Sequence, residues 1–241
     1  AKLEKDISKF NNIQMARKIQ LNSAYGAIGN QYFRYYNLKN AEAITYGGQF
    51  SIRWIENKMN VYLNKVLKTK GEDYVIASDT DSIYLNMGPL VKTVYEGREK
   101  TDESIVRFLD KICQVELEPY IQSSYEELAE YVSAYDQKMI MKRENIASSG
   151  IWTAKKRYML NVWDSEGVRY NKPKLKMMGI EAVKSSTPAP CRTAIKDAIN
   201  IMMTGTEKDL LSFIDRFKDE FNLLPPEDIA FPRSVNGLRK F

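Results

Sequence analysis

The sequence predicts an α+β fold, with helices packed on a small antiparallel sheet. Two observations predict it. Long stretches place apolar residues every three or four positions, most clearly from 39 to 68 and from 206 to 221. Short β-branched and aromatic runs separate them, at 74–86 and from 138 to 163. With 241 residues, 44% hydrophobic and 28% charged, the chain can bury a core.

Residues Leu3 to about Tyr25 read as a helix of mixed polarity, which Gly26 and Gly29 break or kink. A longer helix follows from about Lys39 to Lys68. Its apolar face carries Ile44, Gly48, Ile52, Ile55, Met59, Tyr62, Leu63 and Val66, and Gly71 ends the pattern. The runs "YVIA" and "SIYL" flank Ser78-Asp79-Thr80-Asp81, which predicts a hairpin or a strand with a tight turn. Thr101 caps a helix bearing Ile105, Phe108, Leu109, Ile112 and Val115 on one face. Pro119 divides it from a helix carrying Ile121, Tyr125 and Leu128. "KMIMKRENIA" and "IWTAKKRYMLNVW" read as strands, the second followed by a turn at Asp164–Gly167. Thr187 before Pro188 starts a helix to Met203. Thr206 opens another, with Leu210, Phe213, Ile214, Phe217 and Phe221 at helical spacing. The end is proline-rich and irregular, and there is no internal repeat.

Composition excludes several chemistries. The chain has no histidine, so histidine-dependent triads, imidazole bases and histidine-ligated zinc are ruled out. A metal site here must be built of oxygens, which suits Mg²⁺ or Mn²⁺. Cys113 and Cys191 have no metal-ligand spacing and imply no disulfide framework, which points to a reducing compartment. No apolar run reaches the length that spans a bilayer, and no membrane partner is expected. The sequence opens without methionine inside a helical pattern, which predicts a fragment or a processed piece.

Charge is uneven. The net charge is +5, yet Lys138 to Lys184 holds 11 Lys/Arg against 4 Asp/Glu, and Asp102 to Asp136 holds 2 against 9. The acidic block reads as a solvated face. The basic block includes Trp152, Tyr158, Trp163 and Tyr170, and basic residues interleaved with aromatics suit a nucleic-acid surface.

Asp79 and Asp81 pose a sharper question. At i and i+2 in extended chain they share a face. In a buried strand they would repel each other strongly. A divalent cation between them reverses that cost; a simple polar turn is the alternative.

Further residues resolve the choice by resemblance. "SDTDS" resembles motif C of family B DNA polymerases, written YGDTDS. "KIQLNSAYG", Lys18 to Gly26, is similar to that family's motif B, KxxxNSxYG. "KKRY", Lys155 to Tyr158, matches its KKRY motif, and the three stand in the family's order. The strings "GNQYFRYYNLKNAEAITYGGQ" and "PKLKMMGIEAVKSSTP" look like the replicative polymerases of tailed bacteriophages. The resemblance covers nearly the whole chain. Motif C departs from the pattern in having Ser78 for glycine and Ala77 for tyrosine.

The resemblance implies template-directed transfer of deoxynucleotides (dNTPs) to a primer 3′-hydroxyl, supported by two Mg²⁺ or Mn²⁺ ions. It implies that Asp81 is the ligand shared by both metals and Asp79 its supporting neighbour. Glu144 falls where the family has a third carboxylate; a strand glutamate paired beside Lys142 and Arg143 is the alternative. Lys18 would bind triphosphate oxygens and assist the leaving group, Asn22 would bond near the triphosphate or sugar, and Tyr25 would pack on the nascent base pair. Their spacing of four and three puts all three on one helical face. Along an extended KKRY strand, Trp152, Ala154, Lys156, Tyr158, Leu160 and Val162 would share one face and Lys155, Arg157 and Met159 the other. Lys156 and Tyr158 would meet the minor groove and backbone of the primer end. Lys155 and Arg157 would reach phosphates or pair with acids. A solvated basic edge strand is the alternative reading of this segment. Lys172, Lys174, Lys176 and Lys184, with Ser185 and Ser186, look like the start of a thumb gripping duplex product.

In the resemblance, residues 1–30 are part of the fingers, 31–180 the palm and 181–241 an incomplete start of the thumb. The DxxSLYPS-like motif A and the exonuclease domain have no counterpart here. That implies a partner chain or a missing segment supplying them, contact with a sliding clamp through further C-terminal residues, and a setting in the cytoplasm of an infected bacterium. A catalytically inactive module that binds primer–template DNA is the competing reading.

Overall fold

The computed structural model describes residues 2–97, 100–234 and 236–237. The chain is α+β and divides into two compact units, Ala1–Glu96 with Pro119–Met141, and Gly97–Glu118 with Lys142–Phe241.

The first unit is built on a long helix. Helix α1 spans Lys2–Ile28 and α2 Leu38–Leu67. The Asn37 side chain caps α2 by accepting from the Asn40 N–H, and Lys68 ends it in the left-handed conformation. Ile55, Met59 and Leu63, four residues apart on α2, are fully buried and form the spine of this unit. Strands β1 (Val75–Asp79) and β2 (Ser82–Leu85) form an antiparallel hairpin, and a short helix α3 (Gly88–Val94) follows. Helix α5, Glu118–Tyr131, returns to α2. There the Trp54 indole donates to the Ser124 carbonyl at 2.9 Å, and the Tyr62 and Tyr120 rings lie 4.4 Å apart.

The second unit holds α4 (Asp102–Ile112) and a three-stranded antiparallel sheet. Its strands are β3 (Asn145–Ala154), β4 (Arg157–Ser165) and β5 (Val168–Met178), with β4 central. A 3₁₀ turn at Glu181–Val183 leads to α6 (Ala189–Thr204), α7 (Glu207–Asn222) and the short α8 (Pro226–Ile229). Met159, Ile180, Ala182 and Ile199 form its core, joined by Leu175, Met177 and Ile195. Thr101 and Thr206 each start their helix with a reciprocal capping box, with Ser104 and Asp209 as partners.

Four expectations are corrected. The backbone stays helical through Pro119, because a π turn at Cys113–Leu117 precedes it. The wider turn relieves the clash that a proline ring makes with the carbonyl four residues back. Residues 138–144 are not strand; β3 begins at Asn145. "IWTAKKRYMLNVW" is two strands, not one. Ala154 pairs with Arg157 across a turn made by Lys155 and Lys156, and Lys156 takes φ +61°. The alternation assumed for an unbroken KKRY strand therefore stops at Ala154 and restarts at Arg157. The fourth is an omission: residues 168–178, assigned no secondary structure from the sequence, form β5, an edge strand that carries Lys172, Lys174 and Lys176 and tolerates Pro173.

Gly179 secures the Lys155–Lys156 turn. Its φ is +67°, and a Cβ there would sit 2.3 Å from the Lys156 carbonyl oxygen. We expect Gly179→Ala to lower stability by about 2 kcal/mol, combining left-handed strain with the forced shift of the turn. Urea unfolding checks this; a change below about 0.5 kcal/mol would show the turn to be yielding.

Candidate functional site

The hairpin that carries the aspartates is fixed from below by two asparagines of α2. Asn60 donates to Asp73 at 2.8 Å and accepts from the Tyr74 N–H at 2.8 Å. Asn64 donates to the Glu72 carbonyl at 2.7 Å and accepts from the Thr69 hydroxyl at 2.9 Å. These bonds hold the backbone just before β1 against the helix that carries the buried spine of this unit, so the hairpin tip has a rigid base.

At the tip, Asp79 ends β1, Thr80 takes φ +54°, and the Asp81 N–H donates back to the Asp79 carbonyl at 2.6 Å. The Thr80 hydroxyl donates to the Asp79 carboxylate at 3.1 Å, and the Ser82 hydroxyl to the Asp79 carbonyl at 3.2 Å. Two points of the sequence reading change here. The aspartates are not neighbours in extended chain, because a left-handed residue separates them. Nor is the hairpin deeply buried: Asp79 is half-buried, while Ile76 and Asp81 are exposed. Tight folding of the turn, rather than strand alternation, brings the two carboxylate-bearing residues together.

Tyr125 of α5 marks what lies behind the tip. Its ring is buried, and its phenol is pushed above the ordinary range first by that burial and then by the negative charge of Asp81. The donors at the tip are carboxylates and hydroxyls, a set that fits a hard cation such as Mg²⁺. Among the described residues no three Asp, Glu, Cys or His side chains cluster closely enough to hold a metal ion together. The fit is thus that of a partial cage, two carboxylates on one turn.

Lys18, Asn22 and Tyr25 all lie on α1 and are exposed. Tyr25 is tethered: its hydroxyl bonds the Thr45 hydroxyl at 2.8 Å, and Thr45 in turn donates to the Ala41 carbonyl at 3.0 Å. The end of α1 also meets α2 where a Gly29 Cβ would touch the Ala41 Cβ at 3.7 Å. Helix α1 buries none of its residues.

In the second unit, Tyr158 is buried and stacks on Trp152, with centroids 6.4 Å apart. Lys155 and Lys156 are exposed at the turn. Arg157 takes up the option of an acid partner. Its guanidinium donates to both Glu181 oxygens, at 2.9 and 2.7 Å, and Lys184 reaches the same carboxylate at 3.3 Å. The Glu181 carboxyl is held down to about 2, mainly by Arg157. Glu181 was not among the residues picked out by the sequence. It lies 24 positions from Arg157, and only the fold brings them together.

Glu144 is exposed. Arg143 is not its ion-pair partner. The Arg143 guanidinium lies between Asp110 and Asp164 and bonds both, and Arg169 adds a contact to Asp164 at 3.4 Å. Asp164 is 1% exposed and also accepts from the Gly167 N–H at 3.1 Å. Burial works against the Arg143 charge, but the two aspartates outweigh it and keep the guanidinium above its usual range. The adjoining Cys113 thiol is pushed up to about 11, chiefly by burial, so it packs as a neutral side chain at physiological pH. This network was missed because Asp164 reads as a turn residue beside Gly167. An acid closing the apolar run "YMLNVW" was the available signal.

A family model described as DNA polymerase family B matches residues 2–122. The chain is 44% identical over 236 residues to the DNA-directed DNA polymerase of Escherichia phage RB69, covering 95% of this chain and 26% of that protein. It is 39% identical over 246 residues to the DNA-directed DNA polymerase of Enterobacteria phage T4, covering 99% of this chain and 27% of that protein. The chain thus spans about a quarter of the length of the curated relatives it matches. No helix among the described residues is long and apolar enough to cross a membrane.

Proposed function

Because the chain belongs to DNA polymerase family B, we propose that it forms part of a DNA-directed DNA polymerase that extends a primer on a template strand during phage genome replication. One observation carries the reading. The β1–β2 turn presents Asp79 and Asp81 at a rigidly based tip, in a chain 39–44% identical to proteins named DNA-directed DNA polymerase.

Asp79 and Asp81 would hold the divalent ions, Mg²⁺ or Mn²⁺. When bound, these ions supply Lewis-acid stabilisation of the charge that develops at the reacting phosphoryl group. The protein's own task is then positioning and charge neutralisation. Lys18 sets a cation against the triphosphate oxygens, and Asn22 offers an amide donor one turn along the same helix. Tyr25, whose hydroxyl bonds Thr45, offers an aromatic ring on the same face. The α1 residues act as fingers and the hairpin as palm. In the other unit, Lys155 and Lys156 present two cations at a turn fixed by Gly179, suited to sequence-independent contact with primer–template phosphates. The setting is the cytoplasm of the infected bacterium.

The absence of a third clustered ligand among the described residues bears on the competing reading, an inactive DNA-binding module. A partner chain or a further segment carrying motif A would complete the cage. The test is to mix this chain with such a polypeptide on primed template with Mg²⁺. We expect primer extension by the mixture and none by either part. Extension by this chain alone would refute the shared cage, and DNA binding without extension in the mixture would favour the inactive module.

A further inference from the structure

Two arginines of the second unit bind carboxylates, and the contrast between them is informative. Arg143 is 9% exposed and is locked between Asp110 and Asp164. Arg157 is 40% exposed, its partner Glu181 43% and Lys184 50%. The buried pair cannot be parted cheaply, because each charge would be left without water or partner. The exposed set can, since solvent receives whichever group is released and such pairs contribute little to stability.

The backbone under Glu181 is fixed even though its tip is wet. Ile180 and Ala182, on either side, are buried in the core with Met159 and Ile199. The Lys184 N–H bonds the Glu181 carbonyl at 3.1 Å, closing the 3₁₀ turn. The carboxylate is therefore presented at a set place, beside the Lys155–Lys156 turn, with its two oxygens filling the Arg157 fork. A guanidinium fork accepts carboxylate and phosphate in the same two-bond geometry.

We propose that Arg157 and Lys184 form a seat for a nucleic-acid phosphate and that Glu181 occupies it as an internal competitor. A backbone phosphate takes the seat by exchange, and the displaced carboxylate goes to solvent. The proposal rests on the reading that this basic turn meets primer–template DNA. Internal competition lowers affinity for any one phosphate, which lets a protein that must advance along DNA release each contact.

The experiment uses Glu181→Gln, Arg157→Ala and the double variant of the full chain. Binding of a fluorescent primer–template duplex is measured across a salt series. Glu181→Gln should bind roughly three- to tenfold more tightly at low salt. The slope of log affinity against log salt should change little, since both forms make the same phosphate contact once Glu181 is displaced, whereas Arg157→Ala should make the slope shallower by about 0.9. In the Arg157→Ala background Glu181→Gln should change affinity less than about twofold, which separates exchange from a general loss of negative charge. In parallel, inorganic pyrophosphate is titrated against the Arg157 guanidinium signal by NMR. Half-saturation should come at roughly three- to tenfold lower pyrophosphate in Glu181→Gln than in the parent chain. Equal half-saturation, or weaker DNA binding by Glu181→Gln, would overturn the exchange and leave Glu181 as a brace for Arg157. If pyrophosphate behaves as expected while no form binds DNA, the seat stands and the DNA reading of this turn falls.

Discussion

If Asp81 holds the metal ions as proposed, Asp81→Ala should reduce primer extension by the reconstituted polymerase at least about a thousandfold while changing primer–template affinity less than about threefold, the scale expected when a group stabilising transition-state charge is lost. Asp81 stands at the exposed side of a turn whose base is pinned by Asn60 and Asn64. Its removal leaves that scaffold intact and deletes one of only two carboxylates at the tip. Nucleotidyl transfer depends on charge stabilisation more than on covalent help, so the loss falls on the chemical step. The chain alone offers an independent check of geometry. Asp81 contributes, after burial, to the raised titration of Tyr125. In Asp81→Ala that phenol should ionise at lower pH, followed by ultraviolet difference absorbance, while burial still keeps it above an ordinary tyrosine. Sustained extension by the variant would remove Asp81 from the metal ligands, and an unmoved Tyr125 titration would show that the two are not electrostatic neighbours.

The second large effect concerns stability. Asp164→Ala should destabilise the second unit by about 3–5 kcal/mol, the cost of breaking a buried charged network by removing one partner. Asp164 is the most enclosed member, 1% exposed, and serves Arg143, Arg169 and the Gly167 N–H at once. Without it, Arg143 keeps Asp110 and a long bond to the Glu144 carbonyl, and the Gly167 N–H of the β4–β5 turn loses its acceptor. Urea unfolding followed by near-ultraviolet dichroism measures the loss. Asp164→Asn retains an acceptor for Gly167 and should recover part of it. A loss below about 1 kcal/mol would mean that Asp110 and water take over the role, and that the network is less enclosed than its geometry implies.

The readable parts of this fold were those written locally. Thr101 and Thr206 announce helix starts because a cap needs only a hydroxyl and a partner three residues on. Ile55, Met59 and Leu63 announce a buried face because helical period alone sets it. The β1–β2 hairpin was legible from two apolar runs around a polar centre. What escaped depends on backbone conformations that side-chain chemistry does not declare. Lys156 is no ordinary turn residue, yet Gly179, distant in sequence, leaves space for its carbonyl and makes the turn possible. Pro119 signals a helix end, and only an extra residue in the preceding turn lets the helix pass it. Strand β5 was hidden because alternating lysines with an internal proline resemble solvated loop. In the candidate site, Asp79 and Asp81 were legible as a pair at a turn, but not the left-handed Thr80 that separates them. Arg157 was legible as a cation for phosphates or acids, but not its partner, since Glu181 reaches it only through the fold.

One feature of α1 bears on recognition. The helix runs 27 residues without burying any of them. Among the described residues, packing lends it little beyond the Tyr25–Thr45 bond and the approach of Gly29 to Ala41 near its C-terminal end, and in proteins most helical stability comes from packing. Lys18, Asn22 and Tyr25 share a face only while those turns are wound. If the three grip one ligand, as proposed, its affinity contains the free energy of winding these turns, and occupancy and local folding become thermodynamically linked. A ligand held by all three would appear in hydrogen exchange as slowed amides along the helix, and a contacting polypeptide would raise its affinity without touching it.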